Sequence, residues 1–155
     1  MDLTALYQDI ILDHYRAKHH SGLREPYDVE VTHVNPSCGD ELVLRLTRAG
    51  ATVADVSYEG VGCAISQAST SVMSDLVIGG SEADALRLYD GFQAMLEGQG
   101  AVELDEDVYG DAIAFQGVAQ FPARVKCALL GWAALRDAIA RTGAAGPDQP
   151  SQGDL

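Results

Sequence analysis

Apolar positions near the amino end recur at steps of three and four: Leu3, Leu6, Tyr7, Ile10, Ile11, His14 and Tyr15. That spacing lays them along one stripe of an amphipathic helix. From Asp28 the period becomes two, with Val29 and Val31, then Leu42, Leu44 and Leu46, sharing one face and polar or smaller residues between them. These are strand patterns. The Ala49-Gly50 pair predicts a turn into a third strand carrying Val53, Val56 and Tyr58, so residues 28–59 read as a short antiparallel meander whose register is open near Asp55.

After Gly60-Val61-Gly62 the pattern changes again, and Cys63 to Ile78 reads as a helix of small residues closed by Gly79-Gly80. Ser81 predicts the next N-cap, with Asp84 three residues on and Ala85, Leu88, Tyr89, Phe92 and Leu96 forming an apolar face that ends near Gly98. Residues 99–110 hold Gly100, Gly110 and the acidic Glu103, Asp105, Glu106 and Asp107, the composition of an exposed connection. Asp111 to Val118 suggests a short helix, and Pro122 suits the first position of a last helix running to Thr142, with Gly143 as its stop. The domain is thus expected over residues 1–143, followed by a Gly/Pro/Ser/Gln-rich tail over 144–155 without fixed structure. Helix, antiparallel strands and helices in segregated runs predict an α+β fold.

Composition narrows the function classes. A chain of 155 residues, 47% hydrophobic and 21% charged, supports one domain with its own core. With 23 acidic against 10 basic residues it carries a formal charge of −13, which repels phosphate backbones and anionic bilayers, so neither nucleic acid nor membrane is an expected partner. Asp2, Asp9 and Asp13 interrupt the region where a secretory leader would need continuous apolar residues, and no apolar run is long enough to span a bilayer. The expected compartment is the cytoplasm. Thiols stay reduced there, so three cysteines read as ligands or nucleophiles rather than a disulfide framework.

Cys38 lies in Pro36-Ser37-Cys38-Gly39-Asp40, Cys63 in Gly60-Val61-Gly62-Cys63-Ala64 and Cys127 in Arg124-Val125-Lys126-Cys127-Ala128, at separations of 25 and 64 residues. No Cys-x-x-Cys pair exists, and this spacing alone establishes no metal. Two of the three stand beside glycines at junctions, where the backbone can turn a thiolate toward a common point and the loop can still move. Asp40, two residues after Cys38, shares its side of an extended chain. Three thiolates and that carboxylate would complete a tetrahedral zinc site. Against this, each cysteine taken alone is equally a small buried hydrophobe, and Asp40 a turn residue.

The motifs together carry more. Tyr7-x-x-Ile10-Ile11-x-x-His14-Tyr15, Asn35-Pro36-Ser37-Cys38-Gly39-Asp40, Gly60-x-Gly62-Cys63-Ala64-Ile65-Ser66 and Pro122-x-Arg124-x-Lys126-Cys127-Ala128 resemble, in order and over roughly residues 3–142, the U-type scaffold and sulfur-carrier family of iron–sulfur assembly. The resemblance implies an IscU/SufU-like fold, a short three-stranded antiparallel sheet packed with an N-terminal helix and several C-terminal helices. It also implies metal binding by Cys38, Asp40, Cys63 and Cys127. IscU-like members place a histidine before the final cysteine and have a shorter second-to-third cysteine interval; Lys126 and an extra segment at about residues 98–112 make this chain more similar to the SufU branch. That branch implies bound Zn2+ and sulfurtransferase activity with a SufS-like cysteine desulfurase, sulfur passing on to a downstream iron–sulfur scaffold. Two alternatives stand beside it: a scaffold that assembles an iron–sulfur cluster on itself, and a zinc that only staples the fold.

Within the site, Cys38 and Arg124 are the candidates for chemistry. Cys127 is expected inside the last helix beside Leu129, Leu130 and Trp132, where its sulfur cannot move without disturbing packing. Cys63 is expected at a helix N-terminus, whose dipole favours a fixed thiolate. Cys38 lies on a loop with Gly39 beside it, free to swing out and accept sulfur. The resemblance points the same way, implying that a desulfurase histidine replaces Cys38 on zinc. Arg124 is three positions before Cys127, on the same helix face, and can stabilise a thiolate or persulfide or else form a surface salt bridge. Lys126 reads as a solvated neighbour of the site, and His14 as a packing or capping residue, with His19, His20 and His33 weaker still as ligands.

Overall fold

The computed structural model describes residues 4–98 and 103–143 and the backbone of 152–154. Helix α1 (Thr4–Ala17) precedes β1 (Val29–Asn35), β2 (Asp40–Ala49) and β3 (Thr52–Val61); α2 (Ala64–Val77), α3 (Glu82–Glu97), the single turn α4 (Glu106–Tyr109), a 3₁₀ segment (Gly110–Gln120) and α5 (Pro122–Gly143) follow. The chain is α+β, with β1, β2 and β3 forming the antiparallel meander expected of it. A short strand β4 (Gln152–Asp154) adds a parallel edge to β1, giving the order β3-β2-β1-β4. This differs from the structureless tail expected over 144–155. Nothing apolar marks Gln152-Gly153-Asp154, because an edge strand can be held by the open backbone groups of its neighbour alone. Residues 144–151 and 155 of that tail lie outside the described residues, as do Leu3 of the first stripe and Gly100 of the acidic connection.

The β1–β2 register pairs Val31 with Leu44, His33 with Leu42 and Asn35 with Asp40. Between β2 and β3 the ladder shifts: Thr47 faces Asp55 but Arg48 faces Val53, which leaves Ala54 as the extra residue of a bulge. The bulge is why the period of two breaks near Asp55. The connecting loop is Gly50-Ala51, one residue later than the sequence suggests, and Gly50 takes the left-handed φ of +62°. Val31, Leu44, Leu46, Val53, Val56 and Tyr58 are at most 1% exposed, and the sheet packs on α5 and α2.

Helix α2 is buried continuously from Ser66 to Ser74. Its small side chains let α5 approach closely, with Thr70 so near Gly131 that a Cβ there would overlap its hydroxyl. The buried hydroxyls are satisfied: Ser69 Oγ donates to the Ala128 carbonyl at 2.7 Å and accepts from Trp132 Nε1 at 3.1 Å, and Thr70 and Ser74 bond back along the helix. Phe92 of α3 stacks on Trp132 with ring centroids 4.7 Å apart. As expected, Ser81 caps α3, its side chain accepting from the Asp84 N–H at 3.0 Å.

Two elements depart from their patterns. Only His14 of α1 is buried; Ile11 reaches the core edge, while Leu6 and Tyr15 of the predicted stripe stay 53% and 37% exposed. The segment after Gly110 is 3₁₀ rather than α, consistent with buried Ala112, Phe115 and Val118 at a repeat of three. Part of the acidic connection, Glu106–Tyr109, forms one helical turn capped by Asp105. No helix among the described residues is long and apolar enough to cross a membrane.

Candidate metal centre

The β1–β2 loop, the β3–α2 junction and the second turn of α5 converge at one end of the sheet. Residues Pro36 to Gly39 link the strands, the Cys38 N–H donates to the Asn35 carbonyl at 3.2 Å, and Gly39 at φ +71° turns the chain into β2. This leaves the Cys38 thiol exposed. Asp40 opens β2 and is only 1% exposed. Cys63 is the N-cap of α2, and its backbone N–H donates to Asp40 Oδ1 at 2.8 Å. A helix N-terminus offers such unpaired donors to a carboxylate. Cys127 is buried on α5.

The Cys127 and Cys38 sulfurs are 3.1 Å apart, and Cys63 Sγ is 3.9 Å from Asp40 Oδ2. One donor atom each from Cys38, Asp40 and Cys127 lies within 4.8 Å of the others, and Cys63 borders that set through Asp40. A tetrahedral zinc, with Zn–S of about 2.3 Å and Zn–O of about 2.0–2.2 Å, sets neighbouring ligand atoms about 3.5–3.8 Å apart. The observed 3.1 and 3.9 Å separations straddle that range, so Cys38, Asp40 and Cys127 fit such an ion with small adjustments, and Cys63 stands at the border of the set beside Asp40. Electrostatics agrees with the donor chemistry. Burial pushes the Cys127 thiol far above its ordinary range, and Cys38, Asp40 and Cys63 all push it the same way. The cluster contains acids and no cation of its own, so a divalent ion is the charge that would let its thiols ionise together.

Asn35 is a residue to which the sequence reading gave no role. It is fully buried, its amide Nδ2 lies 3.7 Å from Cys127 Sγ as a donor, and its carbonyl holds the Cys38 turn, so one side chain and its backbone touch two of the cysteines. Its Oδ1 has no partner among the described residues. The inward alternation Val31, His33, Asn35 along β1 is the signal that could have found it. Gly62 matters for space: a Cβ there would overlap Asp40 Oδ1 and meet Ser66 Oγ at 2.9 Å.

Arg124 is not one of the clustered donor residues. It is exposed, forms no ion pair among the described residues, and lines a groove of about 410 Å³ with Tyr7, Ile11, Ile65 and Phe121. Lys126 is exposed as expected. Val61 and Phe121, 65% and 56% exposed, place apolar surface beside the cysteine-bearing segments. His14 packs between Ser71 and Asp111, 2.8 Å from each, and His33 bonds Asp137 at 2.9 Å; neither joins the cysteines.

The family model described as NifU-like N terminal domain matches residues 6–141. A Streptococcus pyogenes serotype M1 protein named iron–sulfur cluster assembly scaffold protein IscU is 40% identical over 141 residues, covering 90% of this chain and 86% of its own. The Bacillus subtilis strain 168 protein named zinc-dependent sulfurtransferase SufU is 38% identical over 141 residues, covering 90% and 93%. Among solved structures, FiSufU of the SUF system from the thermophile Fervidobacterium islandicum AW-1 superimposes with a TM-score of 0.78 at 40% identity, covering 84% of this chain and 94% of that one.

Proposed function

The chain belongs to the NifU-like N-terminal domain family, with IscU- and SufU-type iron–sulfur assembly proteins as relatives, and on that premise we infer that it is a zinc-bound sulfurtransferase fed by a SufS-like cysteine desulfurase. Cys38, Asp40, Cys63 and Cys127 would hold the ion. Bound zinc supplies the positive charge that keeps the thiols ionised at neutral pH and shields them from oxidation. The observation that carries the reading is the contrast in exposure between Cys38 on a glycine turn and the buried Asp40 and Cys127 behind it.

Cys38 as thiolate attacks the terminal sulfur of the desulfurase persulfide. A new S–S bond forms at Cys38 as the bond to the desulfurase cysteine breaks, and the electron pair leaves on that cysteine as thiolate. The exchange is redox-neutral, and repeating it passes the sulfur to a downstream iron–sulfur scaffold. Arg124, exposed and lining one groove with the apolar Phe121, would meet the incoming partner or its persulfide. Under this reading, protein loaded by a desulfurase and cysteine carries one added sulfur on Cys38 by mass spectrometry, with one zinc per chain. A Cys38→Ser variant that keeps zinc and accepts sulfur elsewhere at the wild-type rate would overturn the assignment.

The scaffold reading is the second, favoured by the IscU names of the Streptococcus pyogenes and Thermotoga maritima relatives, 40% and 33% identical. A stoichiometric iron–sulfur chromophore with little zinc in protein purified without affinity-tag metals selects it.

A further inference from the structure

Strand β3 is one edge of the sheet, and only part of that edge is covered. The Val56 and Tyr58 carbonyls both point away from β2, accepting from the Arg24 guanidinium at 2.9 Å and the Gly22 N–H at 2.8 Å. Ser21 bridges Tyr58 as well, so the chain after α1 shields the edge at residues 56–58. Residues 59–61 are exposed. Gly60 is the next member of the same alternation, so its N–H and carbonyl also face outward, and among the described residues none outside β2 bonds to them. A groove of about 480 Å³ runs along this open edge, bounded by Glu41 and Val43 of β2 on the outer sheet face and by Gln67 of α2 on the inner side. Gln67 is only 6% exposed, yet its side-chain amide makes no hydrogen bond among the described residues. Its Nε2 lies 3.5 Å from where a Cβ on Gly60 would start, so the amide borders the open backbone groups. A buried amide without a partner costs free energy until an incoming group satisfies it.

We propose that the β3 edge at residues 59–61 is a docking site for an extended, basic segment of a partner protein, which adds to the sheet as a further strand. The outward N–H and carbonyl of Gly60 are a donor and an acceptor on one residue, and the Gln67 amide offers another such pair beside them; a peptide backbone answers both. Charge selects the segment. Val43 faces Glu59 and Glu41 faces Val61 across the β2–β3 ladder, so two exposed carboxylates alternate with two valines on the outer face. A strand laid beside them is matched by lysine or arginine alternating with β-branched residues. Lys18, the one cation lining the groove, belongs to its covered side, where its carbonyl accepts from the Ser21 N–H. A second copy of this chain is a poor occupant, since two chains at −13 repel and edge-to-edge pairing would bring the two acidic faces together. The open segment ends two residues before Cys63, so a docked strand reaches the border of the cysteine cluster. Such docking is independent of whether the cysteines carry sulfur or a cluster.

The test is titration of the full-length protein with a short capped peptide alternating lysine with valine and threonine, followed by amide NMR and hydrogen exchange. The expected result is saturable shifts at residues 41, 43 and 59–61, with the Gly60 N–H becoming protected from exchange. The same peptide N-methylated at alternate residues keeps its charge but cannot pair with a strand edge, and it should bind about tenfold more weakly, as should a version with glutamate for lysine. Reversing both carboxylates, Glu41→Lys with Glu59→Lys, should weaken the lysine peptide by about tenfold. Gln67→Met, similar in size but without an amide, should weaken it by about fivefold. Glu41 and Glu59 are exposed, so the double variant keeps its fold, which thermal unfolding checks. Shifts centred elsewhere, a Gly60 N–H that stays open to exchange, equal binding of the N-methylated peptide, or affinity indifferent to the charge reversal overturns the proposal.

Discussion

The two cysteines whose sulfurs touch, Cys38 and Cys127, sit in opposite mechanical settings. Cys127 is 2% exposed on a 22-residue helix whose next turns bury Leu130 and Trp132, the tryptophan stacked on Phe92 and bonded to Ser69. Cys38 is exposed on a four-residue turn held by one backbone hydrogen bond, with nothing within 4 Å of where a side chain on Gly39 would start. A sulfur in a packed helix stays where the core puts it, and one on an open turn can leave at small cost. On the proposed reading the site would have a fixed half, Asp40 and Cys127, and a movable half, Cys38, with Cys63 at the junction between them. Each of the following substitutions breaks or sharpens that division.

The largest effect should come from the fixed half. If Cys127 is a zinc ligand, as proposed, Cys127→Ser removes a buried donor that no neighbour can replace, so zinc per chain should fall from one toward zero by elemental analysis. Stability linked to the ion goes with it, by about 4 kcal/mol or about 10 °C in Tm. Retention of full zinc by this variant would mean that Cys127 is a packing residue.

Gly62→Ala strikes the support beneath the fixed half. The added methyl overlaps Asp40 Oδ1, forcing the carboxylate away from the Cys63 N–H it accepts at 2.8 Å. A cost of about 2 kcal/mol is expected in denaturant unfolding of the metal-free protein. Zinc affinity should fall about tenfold as Asp40 moves. An unchanged metal-free stability would show that the junction yields without strain.

The fold was readable where side chains repeat with the period of the backbone. Val31, Leu44 and Leu46 announced the meander, and Ser81 with Asp84 announced a cap that forms as read. Elements held by other means were not readable in that way. The strand at Gln152–Asp154 pairs through backbone groups, and the short helix read at Asp111 to Val118 is present but as a 3₁₀ segment, a pitch the pattern did not specify. At the site, family motifs named Cys38, Asp40, Cys63 and Cys127, which no periodicity links, because residues 25 and 64 apart meet only through the tertiary fold. Arg124 shows what spacing gives and what it leaves open. Three residues before Cys127, it lies about 60° from that cysteine around the helix and is exposed along the α1 groove while Cys127 is buried, so spacing places the two side chains near one another without fixing the burial of either.

Asn35→Ala tests whether the fixed half is tuned as well as held. It removes the amide that lies 3.7 Å from Cys127 Sγ and also the unpartnered Oδ1, so the two losses partly offset and the stability change should be about 1 kcal/mol. Metal content should be retained. In the Co2+-substituted protein, however, the thiolate charge-transfer band should move to longer wavelength, because a sulfur without its N–H donor gives up charge more readily. An unmoved band would reduce Asn35 to a spacer at the end of β1.

The smallest effect belongs to the movable half and runs in the opposite direction. Gly39 has φ +71° and open space around its missing Cβ, so Gly39→Ala meets no steric clash and pays only the left-handed penalty, about 1 kcal/mol. That penalty falls on the turn as it stands with Cys38 beside Cys127. A Cys38 swung outward, with Gly39 relaxed to negative φ, does not bear it. The substitution therefore shifts the balance toward the released thiol by about fivefold, the equivalent of 1 kcal/mol. Alkylation of Cys38 in the zinc-loaded protein should accelerate by that factor, while zinc content at saturating metal stays the same, since no ligand has changed. The division predicts the sign as well as the size. Strain placed under Asp40 weakens the site, whereas strain placed under Cys38 makes its sulfur more reactive. If Cys38 alkylation in Gly39→Ala is no faster than in the wild type, the turn does not govern release of the thiol.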